Sequence, residues 1–342
     1  MIAIKAQNTN LISRSATNGL KIFFELLVLI HHLYQPESEL LKAINAIIGP
    51  VGVAGFFMLS GYGVGISIMN KGEGYLRSLT TKRIPKMYLI ILLTDIFYLI
   101  LFYMTGNEFK SFIGFISSVL YLPVFKDYVA LSHWLYFVAD LMLYYVVFVV
   151  IMYIIKRKMG VERALPKAAL AMLIIQLALI TVLTVINVKT GSHRYLRACL
   201  MFPLGIVVAY YGKSIYAYVK KYKYAIAGYS FLLATLFFQF LSYDVFSEYV
   251  TCGLFAIAVI ALIVGVEFEI KEIDIVSKHI IFIYLSHEFF AKMLWHFVPG
   301  WNNLLTIEVT VLYAIVFAVF AFKTKGVIGK KRPAPFKFIT RK

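Results

Sequence analysis

The sequence has only two cysteines and few charged residues, and both shortages restrict the classes of protein that it can encode. Cys199 and Cys252 lie in apolar stretches, so they indicate neither a disulfide framework nor a thiolate metal site. Charged residues make up 15% of the 342 positions, whereas hydrophobic residues make up 61%. With a mean hydropathy of +0.82, the chain lacks the polar surface of a soluble domain. Lipid is therefore the predicted solvent for most of it.

Acidic residues are also scarce, with 17 Asp and Glu against 34 Lys and Arg. A net charge of +17 is compatible with a nucleic-acid partner, but cytoplasmic loops of membrane proteins are basic too. The first eighteen residues are polar and lack the apolar core and cleavage site of a secretory signal. We therefore expect the first hydrophobic helix to remain as an uncleaved anchor.

Long apolar runs dominate the rest of the chain, and each is compared with a hydrocarbon core of about 30 Å. Lipid offers no hydrogen-bond partners, so the backbone N–H and C=O groups of a spanning segment must bond to each other, as they do in a helix. We therefore predict an all-α integral membrane protein. A further run at 111–124 is short and ends at Pro123, which favours an interfacial or re-entrant segment. The ten predicted spans lie near 20–35, 48–69, 84–104, 132–155, 166–187, 196–212, 223–242, 245–266, 278–298 and 303–323.

The positions of the basic residues give the predicted orientation. With ten spans, most Lys and Arg fall in one alternating set of loops, and Lys292 lies within a span. This bias places both termini in the cytoplasm, where anionic membrane lipids are the expected neighbours and no nucleic acid is required. We predict one membrane domain at 1–323 and a basic cytoplasmic tail at 324–342. The opposite set contains only Lys42, Lys110, Lys126, Lys189, Arg194 and Arg197.

Ionisable residues are expensive inside a membrane, so each of them is a functional candidate. In the first span Lys21, Glu25 and His32 share one helix face, and His31 points about 80° away. An imidazole can remove a proton from a hydroxyl, and Glu25 could orient it. The alternative is that His31 and His32 only hydrogen-bond to neighbouring helices.

Other polar positions extend this set of candidates. Arg83, Lys82 and Lys86 precede the third span and could hold donor phosphates, although basic residues are expected there for topology alone. Asp140 is a possible functional residue, whereas Asp95 is interpreted as structural. Arg194 and Arg197 could bind an anionic acceptor or lipid headgroups. The ninth span contains His287 beside a possible internal ion pair formed by Glu288, Lys292 and His296.

The second span contains many small residues, in GPVGVAGFFMLSGYGVG. Their spacing does not match a phosphate-binding loop. Close helix packing is the better explanation for most of these glycines.

Several segments of the chain resemble membrane acyltransferase family 3, the polytopic O-acyltransferases that modify polysaccharides, and they occur in the same order as in that family. The resemblance rests on LLVLIHH, GVAGFFMLSGYGVG, KRIPKMY, HWLYFVADLMLYY and IYLSH. The second of these is the most specific. Lys21 stands where the family often has arginine, and Asp140 where it often has glutamate.

The resemblance implies transfer of an acyl group, usually acetyl and sometimes succinyl, from cytosolic acyl-CoA to a hydroxyl of a cell-surface or exported glycan. It implies His32 or His31 as the catalytic histidine, Arg83 as the cytoplasmic arginine and His287 as the late histidine. Acetyl-CoA is the expected donor, and no metal is expected. We predict a multi-pass protein of the bacterial plasma membrane, with polysaccharide-synthesis proteins as possible partners.

Two rival functions use the same features. A transporter or flippase for a lipid-linked glycan could line its path with the buried charges. A non-catalytic partner in a synthesis complex would need them only for packing.

Overall fold

The computed structural model describes residues 10–33, 38–104, 136–185, 200–240, 245–266, 273–281, 283–285, 287, 308–309, 312–313 and 315–316. Within these ranges the chain is helical and contains no strand. The helical residues from 273 to 287 in this set are called the late helix. The other helices are α1 (Arg14–Leu33), α2 (Glu39–Ser78), a π-helix (Leu79–Arg83), α3 (Ile84–Met104), α4 (Tyr136–Met159), α5 (Val161–Val185), α6 (Met201–Phe240) and α7 (Val245–Ile263).

Three helical stretches in this part of the chain are long and apolar enough to cross a membrane: Glu39–Phe97, Phe137–Met159 and Val161–Val182. They bear out the prediction of a helical membrane protein. The full set of ten spans and the cytoplasmic location of the termini stay predictions. The segment 111–124, the tail 324–342 and Cys199 lie outside the described residues, while Cys252 is buried as expected of a packing residue.

The helices extend further than the predicted spans. The second span was expected at 48–69, but α2 begins at Glu39, where the Ser38 side chain accepts a hydrogen bond from the Leu41 amide. The chain turns at Gly72, whose φ of 53° is unfavourable for other residues. It then continues through the π-helix into α3, so the basic stretch expected as a loop is helical. Hydropathy predicts only the part of a helix that lies in lipid. The helix can continue beyond the lipid, because Lys, Arg and Glu are good helix formers.

The same difference occurs in α6, which includes most of the loop predicted at 213–223. Only Tyr222 departs from helical geometry there, with φ −105° and ψ 15°. The sequence between the two spans is rich in Lys and Tyr and contains no proline. No residue before Tyr222 in this stretch is a strong helix breaker, so the helix continues to that residue.

Helix α2 is central because two neighbours pack against its glycines. Helix α1 covers Gly52, where an added Cβ would lie 2.7 Å from the Phe24 carbonyl oxygen, and its Phe24 ring covers Gly55. Helix α6 covers Gly61 and Gly65, and a Cβ on Gly61 would overlap the backbone of Phe202. The interpretation of these glycines as packing residues is confirmed.

Contacts between distant residues bring several helix ends together. The Tyr62 hydroxyl accepts a hydrogen bond from the Ile12 amide at 3.0 Å. The Ser13 hydroxyl donates to the Val266 carbonyl, and the Lys223 ammonium approaches the Val264 carbonyl. The start of α1, the break in α6 and the end of α7 therefore lie together. We call this the basic end of the bundle, after Arg14 and Lys223.

Candidate functional site

Two histidines from opposite ends of the sequence meet inside the bundle. His32 lies in the last turn of α1 and His287 in the late helix, and their rings stack with centroids 5.7 Å apart and planes 15° apart. His287 is 1% exposed, and neither of its ring nitrogens has a hydrogen-bond partner among the described residues. The structure thus joins two predicted site residues into one cluster, the imidazole pair.

His31 has a different environment from His32, although the two rings are in edge contact. Its Nδ1 donates to the Asn45 carbonyl oxygen at 2.6 Å, and the Asn45 side chain donates back to the His31 carbonyl at 3.2 Å. Gly49 leaves room for the His31 ring, which a Cβ there would overlap. These contacts tie α1 to α2.

Aromatic residues connect the imidazole pair to α4. The Tyr284 ring lies 5.6 Å from His287 and 5.3 Å from Phe137. Phe137 also contacts Phe56 of α2 at 5.4 Å, and Phe56 contacts Phe24 of α1 at 6.3 Å. Sequence reasoning missed these residues, since aromatic side chains are common in every span and nothing in their spacing distinguishes them.

Three carboxyl groups are buried among the described helices, and two of them make no hydrogen bond to the described residues. Glu25 of α1 is 2% exposed and Asp140 of α4 is 1% exposed. Neither carboxylate has a hydrogen-bond partner within the described part of the chain. Glu25 therefore makes no hydrogen bond to His32 there, two helical turns further along α1. Asp95 is equally buried but has an interaction partner, which agrees with a structural role.

Arg83 occupies the last position of the π-helix, where its guanidinium group is held by two tyrosines. One guanidinium nitrogen donates to the Tyr75 hydroxyl at 2.6 Å. The guanidinium carbon lies 4.9 Å from the centre of the Tyr145 ring, a cation–π contact that fixes the direction of the group. Neither tyrosine was predicted. A π-helix shifts the register of the residues that follow it and is frequent at functional sites.

Other positive charges surround Arg83. Lys21 is close enough to experience the charges of Arg83 and Arg14, while Lys82 and Lys86 are exposed on the same helical stretch. Like charges repel one another, so a bound anion would relieve the repulsion between these groups. We call Arg83, Lys21 and Arg14 the cation cluster.

The cation cluster and the imidazole pair are separated along α1. Lys21 and His32 share a helix face and are about 16 Å apart by helical rise. The arrangement can hold phosphate groups at one place and remove a proton at the other.

Several predicted site residues lie outside the described residues. They include Arg194 and Arg197, as well as Glu288, Lys292 and His296 of the ninth span. Among the residues that are described, no group of three or more His, Cys, Asp or Glu side chains could hold a metal ion.

Comparison with known proteins gives one match. No curated protein and no solved structure matches the chain. A family model described as an acyltransferase domain matches residues 14–323, which is most of the sequence. The chain therefore belongs to membrane acyltransferase family 3 and is a membrane acyltransferase.

Proposed function

We propose that this protein transfers an acyl group from cytosolic acyl-CoA to a hydroxyl of a cell-surface or exported polysaccharide or related glycan. Acetyl is the leading acyl group and succinyl the second. The observation that carries the proposal is the stack of His32 on His287. His287 is a buried imidazole whose ring nitrogens have no hydrogen-bond partner among the described residues, and the imidazole of His32 beside it is a group that can take the proton of a hydroxyl.

His32 is the proposed general base. It takes the proton of the acceptor hydroxyl, whose oxygen attacks the thioester carbonyl, and the bond from that carbonyl to sulfur breaks. The departing thiolate then receives the proton from the imidazolium. In an alternative mechanism His32 itself accepts the acyl group transiently, and the same location of its ring would serve that role. His287 lies beside the reacting atoms and contributes to acceptor binding.

The cation cluster is the proposed site of the donor phosphates. Arg83 provides a planar group suited to phosphate oxygens, and Tyr75 and Tyr145 hold that group in place. Lys21, Lys82 and Lys86 add positive charge. The helical rise between Lys21 and His32 leaves room for an extended pantetheine arm between phosphate and thioester.

The membrane arrangement follows from the charge pattern. We propose a multi-pass protein of a bacterial plasma membrane with the basic end in the cytoplasm, because Lys and Arg favour that side. The donor would enter there. The glycan would reach the imidazole pair from the outer side, where Arg194 and Arg197 are proposed to contact it. Polysaccharide-synthesis proteins are the proposed partners.

Replacing His32 tests the chemistry. His32→Gln should reduce acyl transfer at least a hundredfold, since general bases contribute about 10²–10⁴ in rate. Purified protein with radiolabelled acetyl-CoA and candidate glycans provides the measurement. His279→Gln is the matched control, because the His279 Nδ1 bonds only within its own helix in the described contacts, and it should retain activity.

The same assay separates the rival functions. Acyl transfer by the purified wild-type protein would support the proposal that it is an acyltransferase. Movement of a lipid-linked glycan across a vesicle without acylation would support a flippase, and neither activity would support a non-catalytic partner. Full activity of His32→Gln at normal abundance would refute the role of His32.

A further inference from the structure

Two of the buried carboxyl groups, those of Glu25 and Asp140, have no place in the proton transfer described above. Each is expensive in its present position, because a buried carboxyl without a hydrogen bond forfeits its hydration. Glu25 and Asp140 are 2% and 1% exposed, and all four of their oxygens lack partners among the described residues. Such groups indicate that a ligand completes the site.

On α1, Glu25 lies between the cation cluster and the imidazole pair. It is one turn beyond Lys21 and two turns before His32, and all three share one helix face. A molecule that reaches from Lys21 to His32 along this face therefore passes Glu25.

On α4, Asp140 occupies the corresponding position. Phe137, one turn before it, contacts Tyr284 beside His287. Tyr145, five residues after it, lies under the Arg83 guanidinium. Asp140 thus lies along α4 between a residue linked to the imidazole pair and a residue linked to the cation cluster.

Ring contacts link the helices that contain the two carboxyl groups. Phe24 of α1 contacts Phe56 of α2, which contacts Phe137 of α4. His287 joins α1 to the late helix at one end, and Arg83 approaches both Lys21 and Tyr145 at the other. These linking contacts are made by aromatic rings, so within the described residues the oxygens of Glu25 and Asp140 remain acceptors without a hydrogen bond.

We propose that Glu25 and Asp140 accept hydrogen bonds from the amide N–H groups of the donor's pantetheine arm. This inference rests on acyl-CoA being the donor. The arm is a flexible chain whose amides need acceptors once they leave water. Its two ends are then held by the phosphates at Arg83 and the thioester at His32. The two acidic residues are positioning residues that set the depth of the thioester.

The test compares two ligands on the purified full-length protein by calorimetry. Coenzyme A contains the arm, whereas its 3′-phosphorylated ADP half does not. Glu25→Met and Asp140→Leu remove the acceptors while keeping similar shapes. Each should weaken coenzyme A binding about tenfold or more, leave binding of the nucleotide half unchanged, and raise KM for the donor. Arg83→Gln should weaken both ligands.

Three controls distinguish arm binding from a structural role. Glu25→Gln and Asp140→Asn keep a carbonyl acceptor and should retain most of the affinity. Gln176→Leu removes another buried side chain whose oxygen has no partner within the described residues, but Gln176 belongs to α5 and should not affect coenzyme A. Without ligand, Glu25→Met and Asp140→Leu should melt no lower than wild type, since each removes an unpaired buried carboxyl.

Unchanged coenzyme A affinity in Glu25→Met and Asp140→Leu would overturn the arm contact while leaving the proposed function standing. Equal weakening of the nucleotide half would overturn it as well. Wild-type protein that transfers acyl groups from a donor other than coenzyme A would instead overturn the proposed donor.

Discussion

Adjacent histidines at the end of α1 have separate environments because one step along a helix rotates a side chain by about 100°. His31 points to α2, where it bonds the Asn45 carbonyl. His32 points to the late helix, where it stacks on His287. The helix face shared with Lys21 and Glu25 favoured His32 over His31, but the sequence HH contains no information on which neighbouring helix each ring meets.

The contacts predict different results for the two histidines. His31→Leu should lower the free energy of unfolding by about 0.5–1.5 kcal/mol, because it removes the hydrogen bond from α1 to the Asn45 carbonyl of α2. The turnover of the protein that remains folded should be largely retained. His32→Gln should show the reverse pattern, with near-normal stability and lost turnover. Thermal unfolding in detergent and acyl transfer per folded molecule provide the two measurements, and exchanged phenotypes would assign catalysis to His31.

At the scale of elements, α2 is the helix against which its neighbours are arranged. Its glycines permit backbone contact with α6, since Gly61 and Gly65 face Phe202 and Ala209. Small residues four positions apart allow such close crossing in membranes, where packing and not the hydrophobic effect holds helices together. The glycine pattern indicated close packing, but only the structure identified the partner of each glycine.

Gly61→Ala should destabilise the crossing of α2 and α6. The added Cβ meets backbone atoms of Phe202, which cannot move aside as a flexible side chain can. We expect a loss of about 1–3 kcal/mol, measured as a lower unfolding temperature.

Gly63→Ala is the matched control for this crossing, because a Cβ there has nothing within 4 Å. It should be neutral or slightly stabilising, since alanine favours a helix over glycine. If both substitutions destabilise the protein equally, the contact of Gly61 with α6 is not the cause of the destabilisation.

At the scale of the whole molecule, charge is segregated by position. Arg14, Lys21, Arg83 and Lys223 belong to segments that the hydrogen bonds and electrostatic contacts bring to the same part of the bundle. The salt bridge between Lys156 and Glu73 joins α4 to the turn after Gly72 in the same way. This clustering agrees with the loop set that the positive-inside rule places in the cytoplasm.

Cysteine labelling in intact cells tests that orientation. In a chain whose native cysteines are replaced, Glu39→Cys should react with a membrane-impermeant thiol reagent added outside. Lys158→Cys should react only after the membrane is permeabilised. Both positions are exposed, so access and not burial decides the result. The opposite pattern would invert the proposed topology and place the cation cluster away from cytosolic acyl-CoA.

Sequence alone determined the solvent, the helical class and the family. Apolar runs long enough to cross the hydrocarbon core form helices, because a helix satisfies its own backbone hydrogen bonds. The motifs from LLVLIHH to IYLSH occur in the family's order. It also identified Glu25, Asp140 and His287 as unusual, because polar groups in lipid are costly wherever they lie.

Only the tertiary structure decided which of these residues meet. His32 and His287 are far apart in the chain, and their contact depends on how α1 and the late helix cross. Tyr75, Tyr145 and Tyr284 acquire roles only through the groups beside them. Hydrophobicity is non-directional and places a side chain inside the bundle, whereas ring stacks and hydrogen bonds depend on geometry that arises when the helices pack.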